Sequence, residues 1–273
     1  MATQTFPSTV TGRVGMLVTP DTGLDAEMWQ WCPDRVVPFI TRLQIPFAGT
    51  EDPLTIDKLF ASRDTVQPAV RSLISCPNLP SIDPDIVVFN CTAASHREGL
   101  KGEAALRSSM LNAGARRALT ASGAVIGALT ALGAHKIAVG TPYKYGQNLL
   151  LQQFLAEAGF EVPPIPTTTI EPLDDATDDQ IRAIAAQVYR RDASVMFISC
   201  ISLRLRHLLS ELSAEYGIPV IGSLQATMWA ALAQIGERVE APDHPLHSLP
   251  WPEQLPLLEP KNQTDSDEQE TRR

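Results

Sequence analysis

The chain has 273 residues, enough for one large or two ordinary domains with a core that needs no staples. Apolar residues make up 44% and charged residues 19%, an ordinary globular balance, and a formal charge of −9 argues against a nucleic-acid surface. Four cysteines, separated by 44, 15 and 109 positions, form neither a disulfide framework nor a zinc spacing. The opening residues 1–13 lack the apolar run of a secretory leader. The reading is a soluble, reduced, cytoplasmic protein with no nucleic-acid or membrane partner.

Short apolar runs alternate with helical patterns along the chain. Strands are expected at 13–18, 43–48, 85–90, 136–140, 161–166, 194–199 and 219–221. They are aliphatic and mostly not alternating, as strands covered on both faces of a parallel sheet are. Helical patterns lie between them at 24–32, 56–75, 99–111, 117–132, 146–158, 178–191, 203–216 and 225–235. Asp178 is placed as an N-cap, and Gly159 and Gly217 as C-caps. The uncharged stretch 118–134, with Gly123 and Gly127 four apart, falls short of a membrane span and reads as a buried soluble helix. The alternation predicts an α/β architecture of right-handed, doubly wound βαβ units.

The two halves also resemble each other. Ile86-Val-Val-Phe-Asn-Cys91 matches Val195-Met-Phe-Ile-Ser-Cys200, and the strands ending in Thr19-Pro20 and Thr141-Pro142 match at an offset of 122. A diverged duplication follows: two similar Rossmann-like, flavodoxin-like lobes with parallel sheets, related by a pseudo-two-fold, with the active site between them. The first lobe is expected at 12–115, with about 222–238 packing back on it, and the second at 116–221. Residues 240–273 are proline-rich and then acidic and read as a disordered tail, leaving His244 and His247 in a solvated loop.

Ligands of open α/β sheets sit beyond the carboxyl ends of the strands. Four segments bring polar residues there: 19–23, 90–95, 141–143 and 199–202. Two of them carry a cysteine at the matched place, Cys91 and Cys200, so that facing lobes set one thiol on each side of a cleft. Racemisation or cis–trans isomerisation at carbon needs one group on each face of the reacting centre. A thiol of ordinary pKa about 8.5 is already a usable nucleophile or base, and a helix N-terminus lowers that value. The hydroxyls of Thr92 and Tyr143 can hold a carboxylate or a developing enolate. Cys32 and Cys76 have no counterparts and read as core. His96 and Arg97 read as the solvated start of the next helix, and Asp21 as an Asx-turn residue. There is no G-x-G-x-x-G, Walker or H-E-x-x-H motif, so no cofactor and no metal are expected.

The runs Asn90-Cys-Thr-Ala-Ala-Ser95, Thr141-Pro-Tyr143 followed by Asn148, and Ser199-Cys200 resemble the cofactor-independent Asp/Glu racemase superfamily. Within it they are most similar to the branch holding maleate cis–trans isomerase and arylmalonate decarboxylase, over about residues 12–236. The resemblance implies a homodimer of two-lobed chains. It makes Cys91 the nucleophile, Cys200 the partner acid or base, and Thr92 and Tyr143 binders of carboxylate oxygens, with Thr19, Asn148, Ile201 and Ser202 also at the substrate. Val18-Thr-Pro-Asp-Thr-Gly-Leu24 is nearer in shape to the first loop of the decarboxylases, whereas the cysteine pair is that of the isomerases. Ile201-Ser202 stands where the decarboxylases have two glycines, narrowing the site. The expected activity is a cofactor-independent isomerase or racemase acting on a small carboxylate or dicarboxylate, most concretely maleate-isomerase-like. The alternatives are an arylmalonate-decarboxylase-like lyase, an amino-acid or hydantoin racemase, and a non-catalytic binder of small acids.

Overall fold

The computed structural model describes residues 9–20, 22–45, 52–74, 83–170 and 173–255. Two parallel sheets carry the fold. The first contains β1 (Gly12–Val18), β2 (Val36–Arg42), β3 (Ile86–Asn90) and β4 (Ala118–Thr120) in the order β2-β1-β3-β4. The second contains β5 (Ile137–Gly140), β6 (Val195–Ile198) and β7 (Val220–Gly222) in that order. A parallel bridge between Lys136 and Glu161 stands beside β5, so both lobes repeat one strand order.

Ten helices are described: α1 (Asp25–Trp31), α2 (Pro53–Phe60), α3 (Arg63–Ile74), α4 (Thr92–His96), α5 (Gly99–Asn112), α6 (Ala121–Ala131), α7 (Tyr145–Glu157), α8 (Asp178–Val188), α9 (Leu209–Tyr216) and α10 (Ser223–Gln234). The first sheet is buried on both faces, which explains its unbroken apolar strands. Met16, Val18, Ile86 and Val88 face a core shared with α6, α10 and the second sheet. Leu17, Val87 and Phe89 point the other way, into a smaller core under α3 and α5. The return helix α10 packs on α6, α1 and β3, so the chain comes back to the first sheet after completing the second.

Several elements differ from expectation, each for a physical reason. The second strand is Val36–Arg42, pairing from Gly12↔Val36 to Val18↔Arg42; of the expected 43–48, residues 43–45 are not strand and 46–48 lie outside the described residues. Pro38 hides it in the sequence, but β2 is an edge strand, where a missing N–H is tolerated. Segment 161–166 forms only its single bridge, because Pro163, Pro164 and Pro166 cannot donate to a ladder. The helix expected at 117–132 begins later. Residues 118–120 are β4, and Thr120 then caps α6 by accepting the Gly123 N–H at 2.9 Å. The first sheet therefore extends five residues past 115, through Thr120. The pattern at 56–75 is two helices, broken at Ala61–Ser62, and that at 203–216 is helical only over α9. Thr177, not Asp178, is the N-cap of α8, in a capping box with Gln180.

The stretch 240–255 is packed against the protein. Leu246 is fully buried, the Trp229 indole donates to the Leu249 carbonyl at 3.1 Å, and Trp251 lies 5.6 Å from Trp229. Its apolar residues are spaced among prolines, so composition alone read as unstructured. His244 is buried beside Gln225 rather than solvated, and burial pulls its pKa down to about 4. The rest of the expected tail, 256–273, lies outside the described residues. Helix α6 is buried as expected. An added Cβ at Gly127 would stand 2.5 Å from the Trp251 ring, so the small residue serves close packing. Among the described residues, no helix is long and apolar enough to cross a membrane.

Candidate active site

A cavity of about 230 Å³ opens at the carboxyl ends of β1, β3, β5 and β6, and both Cys91 and Cys200 line it. Cys91 follows β3, is half-buried, and is the N-cap of α4 in ordinary extended backbone, φ −143°. Cys200 follows β6, is buried, and has φ 123°, a region that favours glycine. Its N–H donates to Ser223 Oγ at 3.1 Å. Neither thiol is in a disulfide.

Hydroxyls surround the pair. Thr92 lines the cavity, and its buried hydroxyl has no hydrogen-bond partner among the described residues. The Asn90 side-chain amide, at the end of β3, is in the same condition. Buried polar groups are nearly always satisfied, so the Thr92 hydroxyl on the cavity wall marks a place where water or a ligand completes the bonding. Burial drives the Tyr143 phenol well above its ordinary pKa. Charge on Cys200, Cys91 and Asp57 adds to the shift, and the Ser199 hydroxyl opposes it. Tyr143 therefore enters the site as a protonated donor.

The first loop closes the cavity from the side. Thr19 and Thr22 hydroxyls lie 3.0 Å apart, and Thr22 reaches Ser202 Oγ at 3.2 Å, tying the first lobe to the Cys200 loop. Ile201 and Ser202 also line the cavity. Asn148 does not. Its amide stands behind Tyr143, donating to the Tyr143 and Pro166 carbonyls at 3.3 and 3.2 Å, while its oxygen accepts from Thr141. It shapes the loop that presents Tyr143.

Two readings of the segment after Cys91 are corrected. His96 is 1% exposed, packed 6.0 Å from the Phe154 ring, and burial lowers its pKa to about 4. It sits on the inner face of α4, which the sequence does not distinguish from a solvated helix start. Arg97 donates through Nε to the Leu54 carbonyl at 2.9 Å and so fixes α2 against the α4–α5 turn. Asp21 and Cys76 lie outside the described residues.

Sequence reasoning missed the wall built by α2. Ile56 and Phe60, with Ile170 and Leu173 opposite, make much of the cavity apolar. Asp57 also lines it and accepts from Gln147 Nε2 at 2.8 Å. The pattern at 56–75 read as helical, but nothing in it told which face meets a cavity rather than core.

Over residues 71–245 the chain matches the arylmalonate decarboxylase family model, a span that includes both cysteines. The chain belongs to the arylmalonate decarboxylase family. It is 30% identical over 168 residues to arylmalonate decarboxylase of Bordetella bronchiseptica, covering 57% of this chain and 67% of that one. It is 25% identical over 169 residues to maleate isomerase of Geobacillus stearothermophilus, covering 58% and 67%. Both relatives are enzymes, one a lyase and one an isomerase. The maleate isomerase Iso of Pseudomonas putida superposes with a TM-score of 0.71 at 20% identity, over 87% of this chain and 98% of that one. A maleate cis–trans isomerase of Nocardia farcinica, solved with a covalently bound succinylcysteine intermediate, superposes with a TM-score of 0.69 at 17% identity, over 84% and 95%. These likenesses show the two-lobed α/β fold with parallel sheets that this branch of the family shares.

Proposed function

We propose that this protein is a cofactor-independent isomerase that acts on a small carboxylate through two thiols, converting maleate to fumarate. The observation that carries the reading is the presence of Cys91 and Cys200 in one cavity, each at the carboxyl end of the matched strand of its lobe. The half-buried Cys91, as thiolate, adds to one alkene carbon of maleate. A proton from Cys200 goes to the other, leaving a succinyl thioether with a single bond that can rotate. The Cys200 thiolate then takes the proton back, the C–S bond breaks with its electron pair returning to sulfur, and fumarate leaves. Charge developing on the carboxylate in each step meets the Tyr143 and Thr92 hydroxyls. The succinylcysteine of the Nocardia relative is the species this sequence of steps requires.

A second reading is favoured by the apolar wall of Ile56, Phe60, Ile170 and Leu173 and by the family model. It is decarboxylation of a malonate bearing an apolar group, with Cys200 protonating one face of the enediolate. Proton NMR of the purified protein with maleate in D2O tests the first reading. A fumarate singlet growing as maleate declines supports it. If maleate is unchanged while an arylmalonate yields CO2 and a monoacid, the second reading replaces it.

A further inference from the structure

Each cysteine loop is fastened by a buried serine to one of two helices that pack together, α10 and α6. In the second lobe, Ser223 opens α10 and accepts the Cys200 N–H at 3.1 Å. In the first, Ser122 lies in the opening turn of α6. Its N–H donates to Ser95 Oγ at 3.1 Å, the Ser95 hydroxyl donates to Ser122 Oγ at 2.7 Å, and the Ser122 hydroxyl donates to the Thr92 carbonyl at 3.0 Å. Both serines are at most 1% exposed, and neither lines the cavity. Helices α6 and α10 each follow the last strand of a sheet, and they pack against one another. The two loops are thus referenced to one rigid unit at the join between the lobes.

The bond at Cys200 is placed where it matters most. A cysteine at φ 123° persists only where its surroundings impose that conformation, and the Ser223 hydroxyl holds the amide of that very residue. Without the hydroxyl, a buried N–H loses its partner and the backbone gains reason to relax, which re-aims the side chain.

We propose that Ser223 and Ser122 are positioning residues, each acting through the backbone on the thiol of its own lobe: Ser223 on Cys200, and Ser122, through Ser95 and Thr92, on Cys91. This rests on the reading that both thiols serve one reacting centre, but its test needs no substrate. Iodoacetamide alkylation of the full chain is followed across pH by peptide mass spectrometry. Ser223→Ala is expected to change the Cys200 rate at pH 7 by about five-fold, the worth of one such hydrogen bond, and to move the midpoint of its pH profile. Cys91 should keep its wild-type profile in that variant. Ser122→Ala should give the reverse pattern, and it decides the matter by the same criterion should Ser223→Ala fail to fold. Unchanged profiles for both thiols overturn the proposal. So does an equal change at both in either variant, which would mean general loosening. Lobe-selective changes in a protein that leaves maleate untouched would uphold the positioning role while removing the isomerase reading.

Discussion

The two lobes share a strand order and a cysteine at the same strand end, yet they hold those cysteines differently. Cys91 sits in relaxed extended backbone at the cap of a short helix and is partly open to the cavity. Cys200 is buried, in left-handed backbone, and the chain after it forms turns until α9. The difference suits a division of labour in which an accessible thiol forms and breaks a bond to carbon while a confined one moves a proton over a short, fixed path. The two lobes share the position of the group and differ in its freedom.

The comparison breaks outright if the thiols are not both needed. Cys91→Ala and Cys200→Ala are each expected to lower turnover by at least about 100-fold, at the low end of what one acid or base contributes, with circular dichroism unchanged. Near-wild-type rates in either variant would reduce the pair to a single working cysteine.

A second asymmetry lies behind the thiols. The first lobe buries His96 five residues after its cysteine, and His244 is buried under α10, while His207 in the second lobe is exposed. An unfolded histidine takes a proton near 6.5, whereas these two resist until about 4. Stability is thus complete above about pH 6.5 and declines as pH falls toward 4, by about 3 kcal/mol for each histidine. Urea titrations between pH 7 and 4 should show this slope, and His96→Phe should lessen it. An unaltered slope in the variant would show that His96 titrates normally.

Matched strands offer a smaller test. Val18 in β1 corresponds to Gly140 in β5, where an added Cβ would stand 2.4 Å from Ile184 Cγ2. Gly140→Val should destabilise by about 1–3 kcal/mol through overpacking, read as a lower urea midpoint. Smallest is the effect of backbone freedom at the cysteines themselves. Cys200→Gly should be more stable than Cys200→Ala by about 1 kcal/mol, since glycine relieves the positive φ. At Cys91, with φ −143°, alanine should be the more stable of the two. The same ranking at both sites would deny the strain.

Much of this was legible in the chain. Buried parallel strands announce themselves as unbroken apolar runs, and the twin motifs ending in Cys91 and Cys200 pointed to both the repeated strand order and the residues that meet in the cavity. What stayed hidden depends on context a sequence does not carry. Pro38 disguised an edge strand, three-residue β4 was too short to separate from α6, and the fate of His96 turned on which face of a one-turn helix looks inward. Asn148, expected at the substrate, holds the Tyr143 and Pro166 carbonyls instead, because a hydrogen-bonding amide beside a loop reads alike in sequence whether it faces ligand or carbonyl.

The return of α10 to the first sheet has a consequence for how the protein is made. A ribosome releases the amino-terminal sheet long before it releases residues 223–234, so β3 and α1 wait uncovered while the whole second lobe is synthesised. Trp251, which closes over Gly127 and Trp229, emerges later still. The first half therefore completes its core only when α10 arrives, the final helix among the described residues, so the packing of β3 and α1 is finished late in synthesis.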